Sequence, residues 1–320
     1  MARRPPAKRP LSDRPAERGP DIAGLYGPAS AAWRHNREAA LLVGAGPRAL
    51  LLQVAHPLVA EGVSQHSDFR TDPWGRLAGT LRSYLRIVYG TGPAARAEIA
   101  RLNRLHAGIT GPVLDPDAAA RHGTAYRARD AGLSLWVHAT LIDSILVTTP
   151  RWLGPHAMPR DEAARFYAET LPVGRLFGVP PSLLPPDLDA FERYVADQLS
   201  TAGPVHPTAA ARDIASAILS PPLAGAVRDE VAAILGPAAG MVRAVLGLVP
   251  QPLVDVLMLP AVGLLPARTR EEYGLPWGTR ERAIEAWLVR SWAAWMPVFP
   301  PSLRWFPQAL AADARIDAAG

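Results

Sequence analysis

The sequence contains no cysteine. That excludes disulfides, Cys-ligated zinc, iron–sulfur clusters, thiolate-ligated or CxxCH-attached haem, and any cysteine nucleophile. Lysine is almost as scarce: of 34 basic residues, Lys8 alone is a lysine. Lys8 falls in a Pro/Arg-rich tail, so the body of the chain has no amine for a Schiff base, a P-loop or a kinase site. HExxH is missing, as is the Glu-x-x-His pair of di-iron bundles. No apolar run reaches the roughly 20 residues of a spanning helix, because Leu246 to Ala267 is broken by Pro250, Pro252, Asp255, Pro260 and Pro266. Alternating strand patterns and hairpin dipeptides are rare as well.

What is present suits an ordinary globular protein of 320 residues, 49% of them hydrophobic. The net charge of +5 is local, since residues 1–20 hold six basic and two acidic side chains. A basic arm of this kind serves solubility, and no specific nucleic-acid partner is expected. Arg3-Arg4 is followed by prolines and charges in place of an apolar stretch. No secretory signal is therefore read, and a cytoplasmic protein without a transmembrane span is expected.

Ala- and Leu-rich stretches with 3.6-residue spacing dominate from residue 29 onward. Helices are predicted near 29–43, 47–64, 74–89, 93–107, 116–130 and 132–148, then 159–171, 187–202, 208–219, 222–235, 238–249 and 279–296. Asp115-Pro116 fits an N-cap followed by a first-turn proline; Thr208 and Thr279 are further N-cap candidates, and Pro159, Pro222 and Pro237 suit helix starts. Gly44-Ala45-Gly46 reads as a turn between two helices. The expected architecture is all-α: a tail over 1–20 and one multi-helix domain over 21–320.

Three segments carry chemistry. In Leu133 to Leu146, an almost wholly apolar helix, Ser134, His138, Leu141, Ile142 and Ile145 share a face. A charged imidazolium there is costly, so His138 is expected to be neutral with a free ring nitrogen, as a haem iron requires. A core histidine bonded to a carbonyl or to Asp143 fits the same spacing. In Asp72 to Tyr84, Arg76, Thr80, Ser83 and Tyr84 project from one face, beside Leu77, Leu81, Leu85 and Val88. This stripe suits a carboxylate, a haem propionate or an oxygen intermediate, and equally a solvated helix edge. In Gln53 to Phe69, polar Gln53 and His56 interrupt an apolar run, and Pro57 predicts a kink. His56 fits a distal residue, a second ligand (a role also open to His66), or a satisfied core histidine.

Together, in this order, GPRALLLQVAHPLVAEGVSQHSDF, DPWGRLAGTLRSYLRIVYGT and LWVHATLIDSIL resemble a haem-binding oxygenase family. It includes rubber oxygenase (latex clearing protein) and the fungal mycophenolic-acid oxygenase. The likeness continues through YGLPWGTRERA to PPSLRWFPQALAADAR. It implies a globin-like helical core holding haem b, with His138 as the iron ligand and Arg76 and Thr80 at the distal pocket. The family's distal lysine falls on Gly79 here, and its catalytic glutamate on Ala60, next to Glu61. Glu61 and His56 are the candidates for handling a proton, and Tyr84 and Arg76 for contacting the cofactor. The partners implied are dioxygen and a hydrophobic, alkene-bearing substrate. The residues alone leave open a non-catalytic haem protein and a metal-free carrier of lipids or terpenoids.

Overall fold

The computed structural model describes residues 22–39, 41–221, 229–237, 239–240, 244, 250 and 253–319. The tail over 1–20 lies outside the described residues, as do most of the segments predicted helical at 222–235 and 238–249. The described helices begin with Ala31–Asn36 (α1), Leu41–Ala55 (α2), Pro57–His66 (α3), Pro73–Tyr89 (α4) and Gly92–Ala107 (α5). Pro116–His122 (α6), Ala131–Leu153 (α7), Arg160–Leu176 (α8), Leu188–Gln198 (α9) and Ala209–Leu219 (α10) follow. The remainder are Asp229–Leu235 (α11), Val254–Gly263 (α12), Ala267–Glu272 (α13), Thr279–Trp295 (α14), Pro301–Arg304 (α15) and Pro307–Asp317 (α16). Strands Thr110–Pro112 (β1) and Ala125–Arg127 (β2) pair antiparallel, with Gly111 opposite Tyr126. The described residues are all-α apart from this ribbon.

Local chemistry sets the helix ends. Asp115 caps α6 by accepting from Ala118 N–H at 2.9 Å, and Thr208 caps α10 by accepting from Ala211 N–H at 3.3 Å. Thr279 is instead the first helical residue of α14, where Glu281 accepts from the Gly278 N–H at 2.7 Å. The helix predicted over 116–130 stops at Gly123, whose φ of +92° only glycine adopts readily, and the chain turns into β2. Asp130 then caps α7 through the Gly132 N–H at 2.8 Å.

Helix α7 is the axis of the core, and its most extensive pairing is with α2. Gly44-Ala45-Gly46 is not a turn but part of α2. A Cβ on Gly44 would lie 2.8 Å from Thr148 Cγ2 and 3.2 Å from Trp152, so glycine lets the two helices close up. The seam also holds a buried ion pair, Arg48 to Asp143 at 2.7 Å, with Arg48 donating to Ser144 Oγ at 2.9 Å and to the Leu264 carbonyl at 2.8 Å. Pro57 has no N–H, and the chain breaks there into α2 and α3 in place of one kinked helix. His56 N–H turns to the Gln53 carbonyl at 3.2 Å, and the Leu52 carbonyl accepts from the buried Trp136 indole at 3.0 Å.

By length and composition α7 alone among the described helices could cross a membrane, but 56% of its most apolar window is buried inside the protein. It packs against α1, α8, α9 and α14 as well as α2. A second apolar cluster joins Trp33 of α1 to Leu85, Val88 and Tyr89 of α4 and Ala309 of α16.

Candidate functional site

His138 lies midway along α7, 9% exposed, where the helix passes α8. Its Nε2 is buried and has no hydrogen-bond partner among the described residues. The Thr170 backbone carbonyl lies near the ring. Burial disfavours the imidazolium and pulls the pKa down to about 4, against the opposing pull of that carbonyl. The ring is neutral at physiological pH. Asp143 is not its partner, being paired with Arg48.

The ring stands on the wall of a cavity of about 230 Å³, partly open to solvent. From α7 the wall takes Leu133, Ser134, Val137, His138 and Leu141; from α3 it takes Leu58, Val59, Gly62, Val63 and His66. Tyr126, Ala128 and Arg129 come from β2 and the turn after it, Arg76 from α4, and Asn103 and His106 from α5. The His106 pKa is lowered by burial first, then by the positive charges of Arg76, Arg129 and Arg101. One end of the cavity is thus cationic and the rest mainly apolar, with Gln53, Ser67 and Ser134 among it. A larger cleft of about 410 Å³ lies elsewhere, between α1 and the start of α8, and it is polar. There Arg34 and His35 both bond Glu162, at 2.6 and 2.9 Å.

Of the residues singled out in the sequence, His138, Arg76, Gln53, Ser134, Leu141 and His66 line the cavity; Thr80, Tyr84, Glu61 and His56 do not. Thr80 is exposed and its hydroxyl donates back to the Arg76 carbonyl at 3.0 Å. Tyr84 OH donates to Asn36 Oδ1, tying α4 to α1, and burial raises its pKa. Glu61 is 3% exposed and accepts from Leu114 N–H at 2.9 Å, Asp115 N–H at 3.0 Å and Gln65 Nε2 at 2.7 Å. His56 caps α3, its Nδ1 accepting from Leu58 N–H at 3.2 Å. Its ring continues into a column, 5.4 Å from His122, which lies 5.7 Å from His206. His66 is on the wall, but its Nε2 is bonded to the Thr110 carbonyl at 3.2 Å. Arg129 and His106 were not picked out from the sequence. They are far apart in it, and only the position of Arg129 just before a very apolar helix hints at a site.

These residues suit an iron porphyrin better than a bare ion. Among the described residues no group of three His, Asp or Glu side chains converges to hold a metal. One neutral imidazole with an orphaned Nε2, in an apolar wall with arginines at one end, is a donor set for a ligand that brings its own metal and its own charge.

A mainly helical protein with a dry imidazole, its Nε2 unpartnered, beside an amphipathic cavity is the class that fold and site define. Residues 32–298 match the family described as "ER-bound oxygenase mpaB/B'/Rubber oxygenase, catalytic domain", and the chain belongs to that family. It is accordingly an oxygenase-type enzyme. No curated protein and no solved structure shows significant similarity to it.

Proposed function

We propose that the chain is a haem b-dependent oxygenase acting with dioxygen on a hydrophobic, alkene-bearing substrate in the cytoplasm. The observation that carries this reading is the unpartnered Nε2 of neutral His138 on an apolar cavity wall. When bound, haem b supplies the iron centre that activates dioxygen. His138 would hold the iron through its unpartnered Nε2, kept neutral by burial. Arg76 donates hydrogen bonds toward negative charge that develops within the cavity. Thr80 and Tyr84 position α4, and through it Arg76. Glu61 and His56 hold the segments around the cavity; His106 is the titratable group on the wall nearest the arginines. Leu58, Val59, Val137 and Leu141 keep water out and receive an apolar substrate. The cavity is smaller than the ~300–1,000 Å³ of typical ligand pockets, so a porphyrin must extend through the opening or part the walls.

Protein purified from haem-supplemented cells should show a Soret band and take up one haem per chain. His138→Ala should lose both. Full haem stoichiometry with an unchanged Soret band in that variant would overturn the axial assignment, and colourless wild-type protein would overturn the haem reading.

A further inference from the structure

Most ion-paired arginines here sit against a carboxylate at short range: Arg34 to Glu162, Arg151 to Glu285 and Arg304 to Glu38 are all at 2.6 Å. Two that share the rim of the His138 cavity, Arg76 and Arg129, are different. Among the described residues neither guanidinium has an ion pair or a hydrogen bond, although the Asp68 charge acts on Arg76. Both arginines act electrostatically on His106, which places the two charges around one imidazole on the wall. Arg129 also lies over a backbone made to receive it. Gly178 follows α8 at a φ of +88°, and a Cβ there would be 3.2 Å from Arg129 Nη2. Two cations held near each other without counter-charges repel, and an anion binding between or beside them relieves that repulsion.

We infer that Arg129, together with Arg76, anchors the two carboxylate arms of the ligand whose centre His138 holds: an apolar macrocycle with two anionic groups at one edge. This rests on the haem reading above and adds to it a positioning residue and an orientation. The propionate edge faces the α4 and β2–α7 side, and the apolar body faces α3 and α7. A planar guanidinium suits the carboxylate fork and gives charge-assisted hydrogen bonds.

The test uses apo-protein titrated with haem b and with its dimethyl ester, in which both carboxylates are masked, followed by absorbance and tryptophan quenching. Wild-type protein should bind haem b at least about tenfold more tightly than the diester. Arg129→Gln should weaken haem b about tenfold and leave the diester unchanged, and Arg76→Gln/Arg129→Gln should bind the two alike. Circular dichroism and thermal melting of the apo variants, both altered at the solvent-accessible rim, should match wild type. Arg129→Gln protein that binds haem b as wild type does, or that loses both porphyrins equally, would overturn the anchor while the haem reading stands. Wild-type protein that binds neither porphyrin would remove the haem reading and the anchor with it.

Discussion

Gly174 and His138 face each other across the α7–α8 seam, and a Cβ on Gly174 would stand 3.1 Å from both His138 Nε2 and Cδ2. The missing side chain spares the orphaned nitrogen a tight contact on that face. Alanine in a helix interior gains about 1 kcal/mol over glycine, while the ring must give by a few tenths of an ångström. Gly174→Ala should therefore leave apo-protein stability level or slightly raised and lower haem affinity at least severalfold. Urea unfolding and haem titration on the same samples check it; unchanged affinity would show that the ring has space to spare.

The Arg48–Asp143 pair should be costly to break from one side only. Arg48→Met strands a mostly buried carboxylate, for a loss of about 2–4 kcal/mol. Replacing both, as Arg48→Met with Asp143→Leu, should recover most of that. Chemical denaturation of the single and double variants reads the difference, and additive losses would contradict it.

Acid should loosen the protein through the His56–His122–His206 column. Burial lowers all three pKa values, that of His56 to about 3, and the neighbouring imidazoles and Arg121 lower them further. Glu272 and Asp115 oppose this at His206. Since these values lie below the unfolded ~6.5, the unfolded chain takes protons first. Stability is complete above about pH 6.5 and falls as the pH drops toward the folded values. His56 alone should contribute a slope of about 1.4 kcal/mol per pH unit within that window. His56→Asn, which keeps a capping side chain, should flatten the urea midpoint between pH 7 and pH 5; an unchanged slope would contradict the assignment.

Glu61 offers a choice between chemistry and architecture. With three acceptor bonds to the 112–115 side and to Gln65, Glu61→Ala should cost about 2–4 kcal/mol by orphaning the Leu114 and Asp115 amides. The melting temperature decides. A variant that melts like wild type but loses turnover would make Glu61 catalytic.

Much of this was legible in the chain. The 3.6-residue periodicity predicts helix across most of α1–α11 and in α14, though not in α12, α13, α15 or α16, and the greasy setting of His138 marks an imidazole of the cavity wall that ends with a bare nitrogen. Asp115 and Thr208 announced their caps. What was hidden depended on partners distant in sequence. Gly44-Ala45-Gly46 looks like a turn until Thr148 and Trp152 of α7 come against it. Thr80 shares a helical face with Arg76, but only Arg76 is long enough to reach the cavity from α4. Arg129 and His106 meet through tertiary packing that no local pattern encodes.

The ribbon of β1 and β2 forms one side of the cavity through Tyr126 and the turn that carries Arg129. Two three-residue strands do not sustain themselves in water. They are fastened by Gln65, which donates to the Pro112 carbonyl at 2.9 Å and accepts from Tyr126 OH at 3.1 Å, and by the Glu61 clamp on the Leu114 and Asp115 amides. The door to the buried imidazole is thus hung on one carboxylate and one amide of α3, and whatever loosens that latch decides how readily a guest is admitted.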